Sequence, residues 1–368
     1  MMSLAPDRPA PAASPASVAP STAPVCSPTR SDRKAEPVAM TTHLLVTGGA
    51  GFIGSRYVRA LLGPDGPPDV VVTVLDALTY AGNPANLSVV RDHPRFRFVQ
   101  GDICDAAVVD RVMADQDQVV HFAAESHVDR SLLDASAFVQ TNVHGTQTLL
   151  DAARRHGVAP FVQVSTDEVY GSIEHGSWTE DEPLRPSSPY SASKASAELL
   201  ALAHHVSHGL DVRVTRCSNN YGPHQFPEKL IPRFITLLMD GHRVPLYGDG
   251  LHVREWLHVD DHVRGIEAVR TRGRTGRVYN IGGGAALSNK ELVGLLLEAC
   301  GADWSSVEQV EDRKGHDRRY SVDSTRIQRE LDFVPTTGLA DGLAATVAWY
   351  RAHRSWWEPL LTAGSLPA

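Results

Sequence analysis

A short apolar run, His43-Leu-Leu-Val-Thr47, passes directly into Gly48-Gly-Ala-Gly-Phe-Ile-Gly54, and a helical pattern follows from about Phe52 to Leu62. Nothing else in the chain restricts the fold as much. Gly48, Gly51 and Gly54 stand three residues apart, a spacing that permits a tight turn, close approach of backbone to a pyrophosphate and tight helix–strand packing. A glycine triplet alone is weak evidence. The strand before it and the helix after it are the context that gives it meaning.

The same alternation continues. A second strand pattern, Val70 to Leu75, ends in Asp76, and a third, Phe96 to Val99, leads to Gly101-Asp102-Ile103. A fourth, Gln118 to Phe122, leads to Ala123-Ala-Glu-Ser126, and a long helical pattern covers roughly 135–156. A fifth strand ends at Val164. Strand and helix in this rhythm predict an α/β fold, a Rossmann-type doubly wound parallel sheet with helices on both faces. A smaller C-terminal α/β substrate domain is expected after it.

At 368 residues, with 42% hydrophobic and 21% charged residues, the chain is long enough for about two domains of an ordinary globular protein. The expected division is 40–218, mainly binding a dinucleotide, and 219–360, mainly binding substrate, with the chain free to cross back between them. Residues 1–39 hold 8 of the 24 prolines among many Ala and Ser. They show no secretory pattern and are expected to be a disordered tail. Met40 stands just before the first strand, so a start there and a genuine extension both fit. The net charge of -8 argues against a nucleic-acid binder, and no apolar run approaches membrane-spanning length. Cys26, Cys104, Cys217 and Cys300 are scattered without metal-ligand spacing, which fits a reducing cytoplasm, and no metal is expected. His121 and His127 are read as structural for the same reason.

Three sites carry the chemistry. Asp76, about twenty residues past the glycine loop, suits ribose hydroxyls and favours NAD, because a 2′-phosphate would meet its charge. Asp102 is placed to accept from an adenine amino group, and the small residues at Ala123 and Ala124 would let backbone and cofactor come close. The second site is Phe161-Val-Gln-Val-Ser-Thr-Asp-Glu-Val-Tyr-Gly171, where Thr166, Asp167 and Glu168 follow a strand end. Ligands bind at the carboxyl ends of such strands. Two carboxylates there can serve as a general acid and a general base; read alone, they are equally acids that begin a helix. The third is Pro189-Tyr-Ser-Ala-Ser-Lys194, where Tyr190 and Lys194 share one helix face. A nearby ammonium lowers a phenol's pKa, which would make Tyr190 a base. Taken alone this spacing is common; after a dinucleotide-binding half it points to catalysis.

With these residues in place the chain resembles the extended short-chain dehydrogenase/reductases (the NAD-dependent epimerase/dehydratase family), and within them the dTDP-glucose 4,6-dehydratases. The resemblance rests on Gly48–Gly54, Asp76–Asn83, His121–Ser131, Ser165–Gly171, Tyr190–Lys194, Ser218–Pro232, Tyr247–Gly250, Arg254–His262 and Gly315–Tyr320, across about 43–320. Sugar-nucleotide epimerases share the glycine loop and the Tyr/Lys pair but usually lack the Asp-Glu pair. Two features depart from the pattern: Ala285 and Ala286 replace the usual Asn-Glu, and the long tail is foreign to it.

The resemblance implies that NAD is held tightly and used within one turnover on dTDP-glucose. Tyr190 would take the 4-hydroxyl proton with help from Lys194, and Thr166 would bond near O4. Glu168 would then take the C5 proton while Asp167 protonates the departing 6-hydroxyl. On the cofactor side the resemblance adds Phe52, Ile53, Leu78, Thr79, Ile103, Ser126, Thr141 and Asn220. On the substrate side it implies Ser126, Thr166, Asn219, Lys229 and Leu230. Pro245, Leu246 and Tyr247 would face the base, Arg254 and Arg313 the diphosphate, with Asn289 and His316 completing the set. Because Asp167 and Glu168 are adjacent, they reach different substrate atoms only if the backbone is irregular there. A 4-epimerase, a decarboxylase or a UDP-sugar dehydratase are the alternatives. The helices near 135–156 and 188–208 resemble a pair that forms a homodimer interface in the family.

Overall fold

Alternate residues of the first strands enter different cores, which is why these strands are apolar throughout. In β1 (Thr42–Thr47), Leu44 and Val46 join one hydrophobic cluster and Leu45 joins another. A strand buried on both faces belongs in a parallel sheet covered by helices on each side. The computed structural model describes residues 41–312 and 317–363. The expected tail, 1–39, and the expected site residues Arg313 and His316 lie outside the described residues.

The remaining strands are β2 (Val70–Asp76), β3 (Phe96–Gln100), β4 (Gln118–His121), β5 (Phe161–Thr166), β6 (Val212–Cys217), β7 (Asn219–Tyr221), β8 (Val244–Tyr247), β9 (Val253–His258), β10 (Val278–Ile281), β11 (Ala285–Ser288) and β12 (Val307–Val310). The central sheet has the order β10-β6-β5-β4-β1-β2-β3, and every pairing in it is parallel. The order reverses between β1 and β4, and a ligand crevice opens at such a point. β10 returns to this sheet after the chain has left it, so the two halves are interleaved in sequence.

A separate three-stranded sheet, β11-β9-β7, and a two-stranded one, β12-β8, lie with a third core. The helices Leu230–Met239, Asn289–Cys300 and Leu339–Ala352 supply much of that core. No helix among the described residues is long and apolar enough to cross a membrane.

The helical pattern expected over 135–156 is not one regular helix. Ser136–Phe138 gives way to a π-helical turn, Val139–Gly145, before Thr146–His156. The buried Asn142 on this turn accepts from Glu125 N at 2.9 Å, and its amide donates to Ser193 Oγ at 2.8 Å. Two partners on other elements are thus satisfied from the wide turn, as is common for π-bulges near functional sites. The helix Pro189–His208 follows the sequence closely. Ser188 and Ser191 form a capping box, Pro189 occupies the first turn and Gly209 ends it at φ +69°.

Candidate active site

The glycine loop is built as its spacing suggests, and close backbone contacts require glycine at Gly48 and Gly54. A Cβ on Gly48 would fall 2.6 Å from Ala123 N, and one on Gly54 would fall 2.3 Å from Gly48 O. A Cβ on Gly51 would meet only Gly48 O, at 3.3 Å, so this face of the loop is open. Gly51 caps the helix Phe52–Leu62 without any side-chain hydrogen bond, and the first turn carries no acid. An uncapped helix start behind a glycine loop is the donor arrangement that a pyrophosphate fits.

This loop opens on a cavity of about 340 Å³ at the ends of the central strands. Of the expected cofactor residues, Gly48, Gly51, Phe52, Ile53, Gly54, Asp76, Thr79, Asp102, Ile103, Ala123, Ala124, Ser126, Thr141 and Asn220 line it. Leu78 does not; it holds a left-handed φ of 53° and gives its N–H to Asp76 Oδ1 at 2.8 Å. Asp76 Oδ2 accepts from Ala50 N, also at 2.8 Å, and burial pushes its carboxyl upward. Asp102 accepts from Cys104 N at 2.8 Å. Every expected cofactor residue but Leu78 therefore lines one cavity, although Asp76 spends part of its capacity on the protein backbone.

Thr166, Asp167, Glu168, Tyr190 and Lys194 line the same cavity. Thr166 ends β5 and caps a short 3₁₀ turn, Asp167–Tyr170. With three residues per turn, consecutive side chains point about a third of a turn apart. This is the irregular backbone that lets neighbouring acids face different directions. The Thr166 hydroxyl donates to Asp167 Oδ1 at 3.3 Å and accepts Glu168 N–H at 3.3 Å. Asp167 is 2% exposed; burial, then the charges of Glu168 and Glu255, push its carboxyl well above the usual range. This environment favours the protonated carboxyl, the form that can donate. Asp167 Oδ2 has no protein partner.

Tyr190 is buried and bonded to the Thr166 side chain. Its phenol is pushed well above the ordinary value by burial, followed by the Glu168 charge. The expected lowering by Lys194 is not among the leading influences. Lys194 Nζ donates instead to the Val164 carbonyl at 2.7 Å. Burial lowers the ammonium to about 8.

Ser126, Asn219 and Lys229 also line the cavity. Lys229 Nζ donates to Ser126 O at 2.8 Å, joining two expected substrate residues. The buried Oδ1 atoms of Asn219 and Asn220 have no protein partner. The remaining expected substrate residues, Leu230, Pro245, Leu246, Tyr247, Arg254 and Asn289, do not line this cavity. Pro245, Leu246 and Tyr247 form β8. Asn289 begins a helix and gives its N–H to His252 O at 2.8 Å. Arg254, expected to grip a diphosphate, donates to Val253 O and Asp317 O, both at 2.8 Å, and stacks on Tyr320. Its charge still reaches Asp167, where it opposes the upward shift.

Sequence reasoning passed over Glu125, Cys217, Gln225, Phe226 and Glu228, all of which line the cavity. Burial raises the carboxyls of Glu125 and Glu228. Tyr80 donates to Glu228 at 3.1 Å, and Arg130 lies over the Tyr80 ring at 4.0 Å. Four of these five stand inside stretches already singled out, so the signal was proximity to named positions. His121, read as structural, bonds through both ring nitrogens to Thr47 and Thr146 at 2.7 and 3.0 Å, and burial lowers it to about 3. His127 caps the helix Val128–Leu133.

Comparison with known proteins identifies relatives along most of the chain. The family model described as GDP-mannose 4,6 dehydratase matches residues 45–346. A dTDP-glucose 4,6-dehydratase from Streptomyces griseus is 87% identical over 329 residues, covering 89% of this chain and all of the relative. One from Streptomyces antibioticus is 64% identical over 329 residues, covering 89% and 97%. The crystal structure of dTDP-glucose 4,6-dehydratase from Streptomyces venezuelae, solved with NAD bound, superposes with a TM-score of 0.85 at 62% identity, covering 87% of this chain and all of that one. A UDP-glucose 4-epimerase from Thermotoga maritima superposes with a TM-score of 0.78 at 32% identity, covering 84% and 99%.

Proposed function

Since the chain belongs to the dTDP-glucose 4,6-dehydratase family, we propose that it converts dTDP-glucose to dTDP-4-keto-6-deoxy-glucose with loss of water. The observation that carries this reading is the Thr166-Asp167-Glu168 turn, with Thr166 and Asp167 buried, sharing one cavity with Tyr190 and Lys194. Two acids and a phenol match a reaction with two proton transfers after an oxidation.

NAD fits the glycine loop, the uncapped helix start and Asp76; when bound it supplies the hydride acceptor for oxidation at C4 and the donor for C6. Tyr190 removes the 4-hydroxyl proton, with Thr166 holding the oxygen it attacks. Lys194, charged below about pH 8, is the resident cation that favours the phenolate form of Tyr190, which becomes the neutral phenol as it accepts that proton. Glu168 takes the proton at C5, which the adjacent 4-keto group makes acidic, and C5 is reprotonated once C6 has received hydride. Asp167, which burial keeps protonated, gives its proton to the departing 6-hydroxyl. The raised carboxyl of Asp167 thus suits the acid role and leaves the base role to Glu168.

In this reading Ser126, Asn219 and Lys229 meet the sugar. Leu230, Pro245, Leu246, Tyr247, Arg254, Asn289 and, outside the described residues, Arg313 and His316 serve the nucleotide. Residues 40–218 mainly hold the cofactor and 219–360 mainly the substrate. The exposed Leu199 and Val206 on the helix Pro189–His208 support a homodimer through that face. Cys104, Cys217 and Cys300 are unpaired, which supports a cytoplasmic setting.

Incubating the purified chain with dTDP-glucose or UDP-glucose and assaying the alkali-sensitive 4-keto product tests the proposal. Product from dTDP-glucose supports it. No product while NAD remains bound overturns it, and formation of only the C4 epimer identifies an epimerase.

A further inference from the structure

The helices Leu339–Ala352 and Arg354–Ala363 follow the last strand, yet they reach the glycine loop through one side chain. Asn86, 2% exposed, lies in the 3₁₀ turn Pro84–Val90. Its Nδ2 donates to the Ala50 carbonyl, in the middle of the loop, at 2.9 Å. That bond orients the amide, so Oδ1 faces the other way as an acceptor.

Two groups converge on Oδ1: Trp356 Nε1 donates at 3.0 Å, and His224 Nδ1 stands at 3.2 Å. Burial lowers His224 to about 3, so the ring is neutral and its proton must sit on Nδ1 to meet an oxygen. His224 holds a left-handed φ of 67°, a costly conformation for a residue other than glycine. Its ring is flanked by Trp349 and Trp356, with centroids 4.4 and 5.3 Å away. The preceding peptide is held as well, since the Ala50 N–H is given to Asp76 at 2.8 Å. Asn83 N also donates to the Ala50 carbonyl, at 3.0 Å. Tyr350, on the first of the two helices, donates to the carbonyl of Gln225, a cavity-lining residue.

We propose that Asn86 is a positioning residue for the cofactor loop, and that Trp356 and His224, acting through it, make docking of the C-terminal helices a condition of tight NAD retention. The inference rests on NAD being the cofactor, as proposed above. The loop binds best when its N–H groups are already in place, because ordering them on binding costs affinity. Asn86 holds the carbonyl that sets their direction, and Trp356 and His224 hold Asn86.

The test compares the full chain with Asn86→Ala and Trp356→Phe. The measurements are NAD content after prolonged dialysis, the NAD concentration that half-restores turnover, kcat at saturating NAD, and Tm. Loss of one such hydrogen bond corresponds to roughly threefold to tenfold in affinity. Asn86→Ala should weaken NAD retention about tenfold or more, and Trp356→Phe, which keeps the ring on His224, about threefold. In both, kcat at saturating NAD should stay near wild type.

A folded Asn86→Ala chain that retains NAD as wild type does would overturn the inference, and so would a fall in kcat with NAD retention unchanged. If Asn86→Ala does not fold, Trp356→Phe decides, and unchanged retention in that variant sinks the idea. Were the wild type to hold NAD yet fail to convert dTDP-glucose, the proposed function would fall while the retention comparison still judged the relay.

Discussion

Arg216 on β6 clasps Glu198 on the Tyr190 helix, its Nη2 2.5 Å and its Nε 3.1 Å from Glu198 Oε1. Both side chains are buried, and Arg216 Nη1 also donates to the Tyr170 hydroxyl at 2.6 Å. Tyr170 closes the turn that begins at Asp167. One guanidinium therefore ties the helix carrying Tyr190 and Lys194 to the turn carrying the two acids.

Removing one partner of such a pair leaves a buried charge without compensation. Glu198→Ala should destabilise the fold by about 3–5 kcal/mol. Urea unfolding monitored by circular dichroism checks this, and a loss below about 1 kcal/mol would mean that the pair is replaceable.

Glu168→Gln should oxidise substrate and then stall, because the base for C5 is gone. The expected sign is reduced nicotinamide accumulating in a single turnover, with steady-state product down by about two to four orders of magnitude. Full turnover in this variant would remove Glu168 from the role of base.

Asp167→Asn should slow loss of the 6-hydroxyl by a comparable factor while leaving oxidation at C4 possible. The pH dependence carries a sign. Asp167 is raised, so it is the proton donor at low pH, and elimination should weaken as pH rises through its folded value. Asp167→Asn should lack that alkaline limb, which a pH–rate profile of single-turnover elimination would reveal.

Lys194 offers a separate test in the ligand-free chain. Its value falls from 10.5 to about 8, so between these the unfolded chain binds the proton more strongly than the folded one. The stability contribution of Lys194 is therefore present above about 10.5 and lost as pH falls through about 8, a difference of about 3 kcal/mol. Lys194→Met should flatten the rise in stability across that window. An identical pH dependence in both chains would show that Lys194 is not the group responsible.

Much of the site was legible in local patterns. The helix Phe52–Leu62 agrees with the pattern that predicted it, and the strand Phe161–Thr166 runs two residues past its expected end at Val164. Glycine spacing, the tip of β2 and the Tyr/Lys spacing are local geometry, which a linear pattern records directly. The π-helical turn at Val139–Gly145 was not legible, because the partners that reward it, Glu125 and Ser193, come from other elements. The same is true of Glu228, whose part in the cavity depends on Tyr80 and Arg130 approaching from separate segments.

By itself, then, the sequence determined the doubly wound sheet, the loop that suits a dinucleotide and the set of groups able to move protons. Residue spacing and alternation dictate local geometry, and that geometry is enough for these conclusions. Only the tertiary structure decided how those groups stand chemically. Burial of Asp167 beside Glu168 and Glu255 keeps one acid protonated, and the Val164 carbonyl takes the Lys194 ammonium. A chain of bonds through Asn86 brings the last helices to bear on Ala50. Desolvation and hydrogen-bond partners are properties of distant residues brought close, and no window of sequence contains them.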